Sequence, residues 1–163
     1  EYGYHPALTE VARTLNQEMP VHVADRVLEL LKQAGKDPAS STVLILGFAF
    51  KGKPETSDNR DSPTTTVVKA LQDAACTVIG HDPVVPETRI KDLGVEIVTI
   101  EEGFKKADAA MIMTNHPAYE SLDINTLVNS MKQPACLLDG WHIYDPEELR
   151  TIDGLQYAGV GNN

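Results

Sequence analysis

Apolar residues recur at three- and four-residue steps through residues 6–34, where Leu8, Val11, Ala12 and Leu15 are followed by Val23, Val27, Leu30 and Leu31. That period is the mark of amphipathic helix. Pro20 divides the stretch. Proline suits a first turn but removes a hydrogen bond from a helix interior, so the pattern predicts two consecutive helices or one kinked helix. Gly35, Lys36, Asp37 and Pro38 end it. The pattern then alternates. Residues 42–48 form a continuous apolar run of the kind found in a strand covered on both faces. A polar loop over 51–61 follows, and Ser62-Pro63 opens a helix carrying Val67, Val68, Ala70 and Leu71. Further strands are predicted at 77–80, 95–98, 109–113 and 135–138, helices at 100–106 and 124–131, and an edge strand at 155–158. Strands that alternate with helices and lack tight hairpin turns predict βαβ units. The fold class is therefore α/β: a three-layer Rossmann-like domain with a mainly parallel sheet, preceded by N-terminal helices.

Length divides this picture into parts. The 163 residues suffice for one α/β domain and an appendage, read here as a helical segment over 1–38 and the domain proper over 39–163. A formal net charge of −10 works against binding a polyanion over a broad surface, so nucleic acid is not an expected partner. One lysine in a pocket still acts locally on a single anionic ligand. The only cysteines, Cys76 and Cys136, sit in apolar strand-like runs with no spacing for zinc or a disulfide framework. Buried free thiols in a reducing cytoplasm are the expectation. No apolar stretch reaches the roughly 20 residues of a membrane-spanning helix, and the opening lacks the features of a signal peptide. The first residue is Glu1, which fits a chain that starts partway into a longer protein.

Ligands of open parallel sheets sit beyond the carboxyl ends of the strands. That rule selects the loops at 49–61, 114–119 and 139–144. The segment from Gly47 to Pro54 matches G-x-x-x-x-G-K-[ST] in all but its last position, with Leu137-Leu138-Asp139 resembling the partner strand of such a site. Pro54, however, has neither a hydroxyl for magnesium nor an N–H for phosphate. A dinucleotide fingerprint fares no better. Asp82 ends the second strand where a ribose-binding acid would stand, but only Gly47 and Gly52 of the glycine pattern are present. What is left is a lysine, Lys51, at the mouth of the first strand, flanked by Phe48 and Phe50. It reads either as a solvated surface residue or as a ligand-facing cation. His5, His22, His81, His116 and His142 do not fall at metal-ligand spacings, and no metal is expected.

These residues carry a resemblance. Gly47-Phe48-Ala49-Phe50-Lys51, the run from Thr56 to Pro63 and Gly80-His81-Asp82-Pro83 resemble, in order and spacing, the G-x-A-[FY]-K, T-x-D-x-R-x-S-P and Y-D-P pattern of the UDP-glucose/GDP-mannose dehydrogenase family. Tyr4-His5-Pro6, Ala12, Asn16 and Met19-Pro20 are similar to the end of its central dimerisation region. The resemblance implies a three-part enzyme: an N-terminal NAD domain, a central helical domain with a catalytic cysteine, and a C-terminal domain that closes over a UDP-sugar. Such an enzyme oxidises the sugar's C6 alcohol to a carboxylate in two NAD-dependent steps, in the service of polysaccharide biosynthesis. The implied partners are the UDP-sugar, the chain's own N-terminal and central domains and further copies in a homo-oligomer such as a dimer, with no membrane. Phe50 and Lys51 match the substrate-contacting Phe-Lys. Asp58 and Arg60 match the following acid and arginine, and a local ion pair ordering the loop is the favoured role. Trp141 follows Asp139-Gly140 where members usually carry Arg, and is read either as an aromatic closing the domain or as a ring stacking on ligand. His116, in Thr114-Asn115-His116, is similar to the Thr-x-His of relatives that act on N-acetylated UDP-sugars, and the resemblance makes it a candidate substrate-binding residue. The sugar is left open between UDP-glucose and the UDP-N-acetylmannosamine/glucosamine type. A different class of function, a stand-alone nucleotide-binding or regulatory module without catalysis, is the alternative.

Overall fold

The computed structural model describes residues 7–161; the Tyr4-His5-Pro6 segment of the resemblance lies outside the described residues. The first element, α1 (Ala7–Gln33), is one helix that runs through Pro20. Its apolar stripe is used in two ways. Val23, Ala24, Val27, Leu30 and Leu31 are buried, whereas Leu8, Val11 and Leu15 face outward, Leu8 with 84% of its surface exposed. The second half of the helix thus belongs to the core of the domain that follows it, and the first half presents the unpartnered apolar stripe.

A 3-10 turn at Pro38–Ser40 leads into the α/β body. Its elements are β1 (Thr42–Leu46), α2 (Pro63–Asp73), β2 (Thr77–His81), α3 (Glu87–Lys91), β3 (Glu96–Ile97), α4 (Ile100–Lys106) and β4 (Ala109–Ile112), then α5 (Pro117–Glu120), α6 (Ile124–Asn129), β5 (Ala135–Asp139), α7 (Pro146–Arg150) and β6 (Leu155–Gly159). The six strands lie in the order β3-β2-β1-β4-β5-β6, and every neighbouring pair is parallel. Alternate strand residues feed opposite cores. Val43, Ile45, Val78, Ala109, Met111, Cys136 and Leu138 pack with α1 and α2 on one face. Leu44, Leu46, Ile79, Ala110, Ile112 and Leu137 pack with Phe104, Val128 and Leu149 of α4, α6 and α7 on the other. This is the three-layer arrangement that the apolar runs predict. The short α3, α5 and α7 were not predicted, because four or five residues cannot display a helical period. Cys76 and Cys136 are free and buried. Burial pushes both thiols up, Cys136 to about 11, which keeps them protonated and weakly nucleophilic.

The amino-terminal edge of the sheet is held by one carboxylate. Asp108, just before β4, accepts the ammonium of Lys36 at 2.9 Å, that of Lys132 at 3.3 Å and the backbone N–H of Thr42 at 2.9 Å. It thereby ties the end of the α1 segment to the starts of β1 and β4. Burial alone would raise this carboxyl, but the Thr42 N–H and the two ammoniums outweigh it and hold it below the ordinary carboxylate range. A depressed folded value means the stabilisation is complete above the unfolded pKa near 3.8 and is lost as pH falls through the lower folded value. Lys36→Met is expected to lower the unfolding free energy by about 1.5–3 kcal/mol at neutral pH, the worth of a hydrogen bond to a charged group. It should also move the acid-unfolding midpoint to higher pH; urea denaturation at a series of pH values measures both.

Candidate functional site at the carboxyl end of the sheet

Strands β1 and β4 are neighbours at the centre of the sheet, and the chain leaves them toward opposite edges. A crevice forms there by topology alone. The first loop begins at Gly47, whose φ of +101° and close approach to Thr114 require glycine: a Cβ would stand 2.2 Å from Thr114 Oγ1. The backbone N–H groups that follow are then taken up one by one. Gly47 donates to His81 O at 3.0 Å, and Phe48 and Ala49 donate to Asp82 Oδ2 at 2.6 and 3.1 Å. Phe50 donates to Asp58 O at 2.8 Å and Gly52 to Asn115 Oδ1 at 3.0 Å. The other oxygen of Asp82 accepts Val84 and Val85, each at 2.8 Å. One carboxylate therefore holds four N–H groups from two loops.

Lys51 stands in the middle of this clamped segment, exposed, and among the described residues neither its backbone N–H nor its ammonium has a partner. Its two aromatic neighbours divide. Phe48 is buried over Gly80, where a Cβ would come within 2.5 Å of Phe48 Cζ, and so belongs to the core rather than to the loop surface. Phe50 faces outward with 56% exposure. Lys53, two residues on, is engaged by Glu120 at 2.5 Å. Beyond it, Arg60 holds Asp58 through Nε and Nη2 at 2.9 and 2.8 Å, and its backbone N–H adds a third bond at 3.0 Å. The guanidinium holds the Asp58 carboxyl well below the usual carboxylate range.

The loops after β4 and β5 complete the rim. His116 caps α5: its Nδ1 accepts Ala118 N–H at 3.0 Å, which leaves Nε2–H to donate to Glu55 Oε1 at 2.7 Å. The imidazole thus bridges the first loop and the fourth strand. Tyr119 is fully buried, donates to His81 O at 2.9 Å and is pushed up in pKa by burial and by Asp82. Tyr144 donates to Tyr119 O, and burial pushes it up to about 12. Asp139 is fully buried and organises the last loop, accepting Trp141 N–H at 3.0 Å and Tyr144 N–H at 3.1 Å. Trp141 is 44% exposed, with its indole Nε1–H tied to Met113 O at 2.9 Å. Phe50 and Trp141 meet around a cavity of about 180 Å³ whose other walls include Ala49, Pro63 and Met113. A larger cavity of about 790 Å³, also reaching Phe50 and Met113, runs under the first half of α1. Lys51 and His116 line neither.

Sequence reasoning singled out neither Asn115 nor Tyr119 and did not give Asp82 its structural task. Asp82 had a signal, an acid at a strand end, but the ribose-binding analogy pointed outward while the carboxylate turns inward. The same contact shows that this domain's first loop does not fit NAD: the N–H groups of Phe48 and Ala49 that would face a pyrophosphate already have an acceptor. Among the described residues, no group of three or more His, Cys, Asp or Glu side chains is placed to hold a metal ion.

Gly52 reports on how tightly the loops are joined. A Cβ there would stand 2.4 Å from His116 N and 2.6 Å from Asn115 C, both backbone atoms that cannot rotate away. Gly52→Ala is expected to cost about 1–3 kcal/mol by forcing the two loops apart, as overpacking does. Thermal unfolding of the variant beside the parent chain measures it.

The sequence model described as "UDP-glucose/GDP-mannose dehydrogenase family, UDP binding domain" matches residues 44–146. The chain is 37% identical over 135 residues, 82% of its length, to the UDP-glucose 6-dehydrogenase of Rhizobium meliloti, covering 30% of that protein. It is 29% identical over 154 residues, 94% of its length, to the UDP-N-acetyl-D-mannosamine dehydrogenase of Pyrococcus horikoshii, covering 33%. Among solved structures, that of an NDP-N-acetyl-D-galactosaminuronic acid dehydrogenase from Methanosarcina mazei superimposes with a TM-score of 0.84 at 29% identity, over 100% of this chain and 33% of the other. A UDP-D-ManNAc dehydrogenase from Pyrococcus horikoshii gives 0.82 at 26%, over 99% and 35%. The chain spans about a third of the length of these relatives.

Proposed function

Because the chain belongs to the UDP-glucose/GDP-mannose dehydrogenase family, as its UDP-binding domain, we propose that it closes over the UDP-sugar of an NAD-dependent UDP-sugar 6-dehydrogenase, at the C-terminal end of that enzyme. The substrate is a UDP-hexose of the glucose or N-acetylated type, whose C6 alcohol becomes a carboxylate. NAD and the catalytic cysteine belong to the rest of the protein, and the chain by itself is inactive as a dehydrogenase. The segment 1–38 is the junction with the preceding helical domain. The outward stripe of Leu8, Val11 and Leu15 supports that assignment and the assembly of a homo-oligomer such as a dimer. No described helix is long and apolar enough to cross a membrane, and the reading places the enzyme in the cytoplasm.

The observation that carries the reading is Lys51. In a chain of net charge −10, a solvent-facing ammonium without a carboxylate partner among the described residues stands at the mouth of the central strand, where ligands of such sheets bind. Its task is to hold diphosphate oxygens or sugar hydroxyls. Phe50 and Trp141 are apolar walls beside it, His116 fixes the rim through Glu55, and the Asp58–Arg60 pair stiffens the loop on its far side. Titration of the ¹⁵N-labelled chain with UDP tests this. Lys51→Ala is expected to raise the Kd for UDP about ten- to a hundredfold, corresponding to about 1.5–3 kcal/mol. Lys53→Ala, which breaks an exposed pair with Glu120, should change it by less than about threefold. A selective loss at Lys53 would favour a phosphate-loop site instead, and a chain indifferent to UDP would sink the reading.

A further inference from the structure

In a dinucleotide-binding domain the N–H groups just after the first strand face a pyrophosphate, and the acid that ends the second strand faces a ribose. Here those two sets of groups face each other. Asp82 Oδ2 accepts Phe48 N–H at 2.6 Å and Ala49 N–H at 3.1 Å, while Oδ1 accepts Val84 and Val85 at 2.8 Å each. Consecutive backbone N–H groups form a concavity for an anion, and the chain fills this one with its own carboxylate. Phe48 is buried, so water does not stand in easily for the lost acceptor.

The consequence reaches Lys51. From Gly47 to Gly52 every backbone N–H but one has an acceptor: His81 O, Asp82 for two, Asp58 O and Asn115 Oδ1. The exception, among the described residues, is Lys51 itself. Clamping its neighbours on both sides fixes the direction of its N–H and the root of its side chain, and leaves both donors open. We infer that Asp82 is a positioning residue for ligand binding: an internal anion in the nest of the first loop that presents the N–H and ammonium of Lys51 to the nucleotide diphosphate. This rests on the reading of Lys51 given above.

The test is UDP titration of the ¹⁵N-labelled chain and of Asp82→Ala, Asp82→Asn, Lys51→Ala and the Asp82→Ala/Lys51→Ala pair. Asp82→Ala is expected to weaken UDP about tenfold, the scale on which a small misplacement of a binding group is felt. In the Lys51→Ala background it should cost less than in the parent chain, because the ammonium is already gone and only the backbone N–H of residue 51 is left to be misplaced. The Lys51 amide resonance should shift with UDP in the parent chain and much less in Asp82→Ala. Sodium formate, small enough to enter the vacated nest, should recover affinity in Asp82→Ala, whereas sodium chloride at equal ionic strength should not. If Asp82→Ala unfolds, Asp82→Asn, which keeps an acceptor oxygen but loses the charge, carries the comparison. Fully additive losses, unchanged UDP affinity in both Asp82 variants, or no recovery with formate would each overturn the inference while leaving Lys51 as a ligand. If Lys51→Ala alone binds UDP like the parent, the Lys51 reading fails, and the positioning role fails with it.

Discussion

A carboxylate drawn wholly or partly out of water must find donors, and in this domain the buried Asp108 and Asp139 and the half-buried Asp82 find them in the backbone. Asp108 receives Thr42 N–H, Asp82 receives four N–H groups, and Asp139 receives those of Trp141 and Tyr144. Each lies at the end of a strand, where the ladder of the sheet stops and backbone donors would otherwise be stranded. The sheet is covered by helices on both faces, so its interior registers are set by apolar packing. Its ends have no such filling. There the chain direction is set by acids, and the loops that carry the candidate site inherit their geometry from them.

The two ends of the sheet differ in how those acids are neutralised. Asp108 at the amino-terminal edge has two ammoniums beside it, and its contacts join the α1 segment to the body. Asp82 and Asp139 at the carboxyl edge have backbone N–H groups among their partners and, among the described residues, no lysine or arginine within ion-pair distance. Cations at that edge are thereby left for other uses. Arg60 is committed to Asp58 and Lys53 to Glu120, and Lys51 is the one that stays open among the described residues of the first loop.

Much of the architecture was legible because the apolar runs at β1, β4 and β5 are short and continuous, which suits a strand buried on both faces, and they alternate with helical patterns. The α4 bounds agree with the helix predicted at 100–106, and in the structure Thr99 caps it by accepting Glu102 N–H. Pro20 left two outcomes open, and the structure has one helix through it, with Pro20, Val23 and Ala24 buried against the body. Within the site, Lys51 and Phe50 could be picked out by strand-end position, but the separation of Phe48 from Phe50 could not, since it depends on Gly80 lying under one ring and not the other. The task of Asp82 was not legible for a similar reason: the dinucleotide analogy fails for want of glycines, and nothing else in the sequence points the carboxylate to a partner. An acid at a strand end has the same letter whether it faces a ligand or its own loop, and only the positions of the N–H groups distinguish the two.

Trp141 is the only tryptophan in the chain, and its indole sits on the rim with one edge bonded to the Met113 carbonyl and one face open toward Phe50. Indole emission, excited at wavelengths the five tyrosines do not absorb, therefore originates from a single ring at this crevice. Its wavelength follows local polarity at the loop after β5, and its quenching by small solutes follows access to the cavity beside Phe50. Without any added label, the chain has an optical probe built into the very rim where a ligand or an adjoining domain would change the solvent.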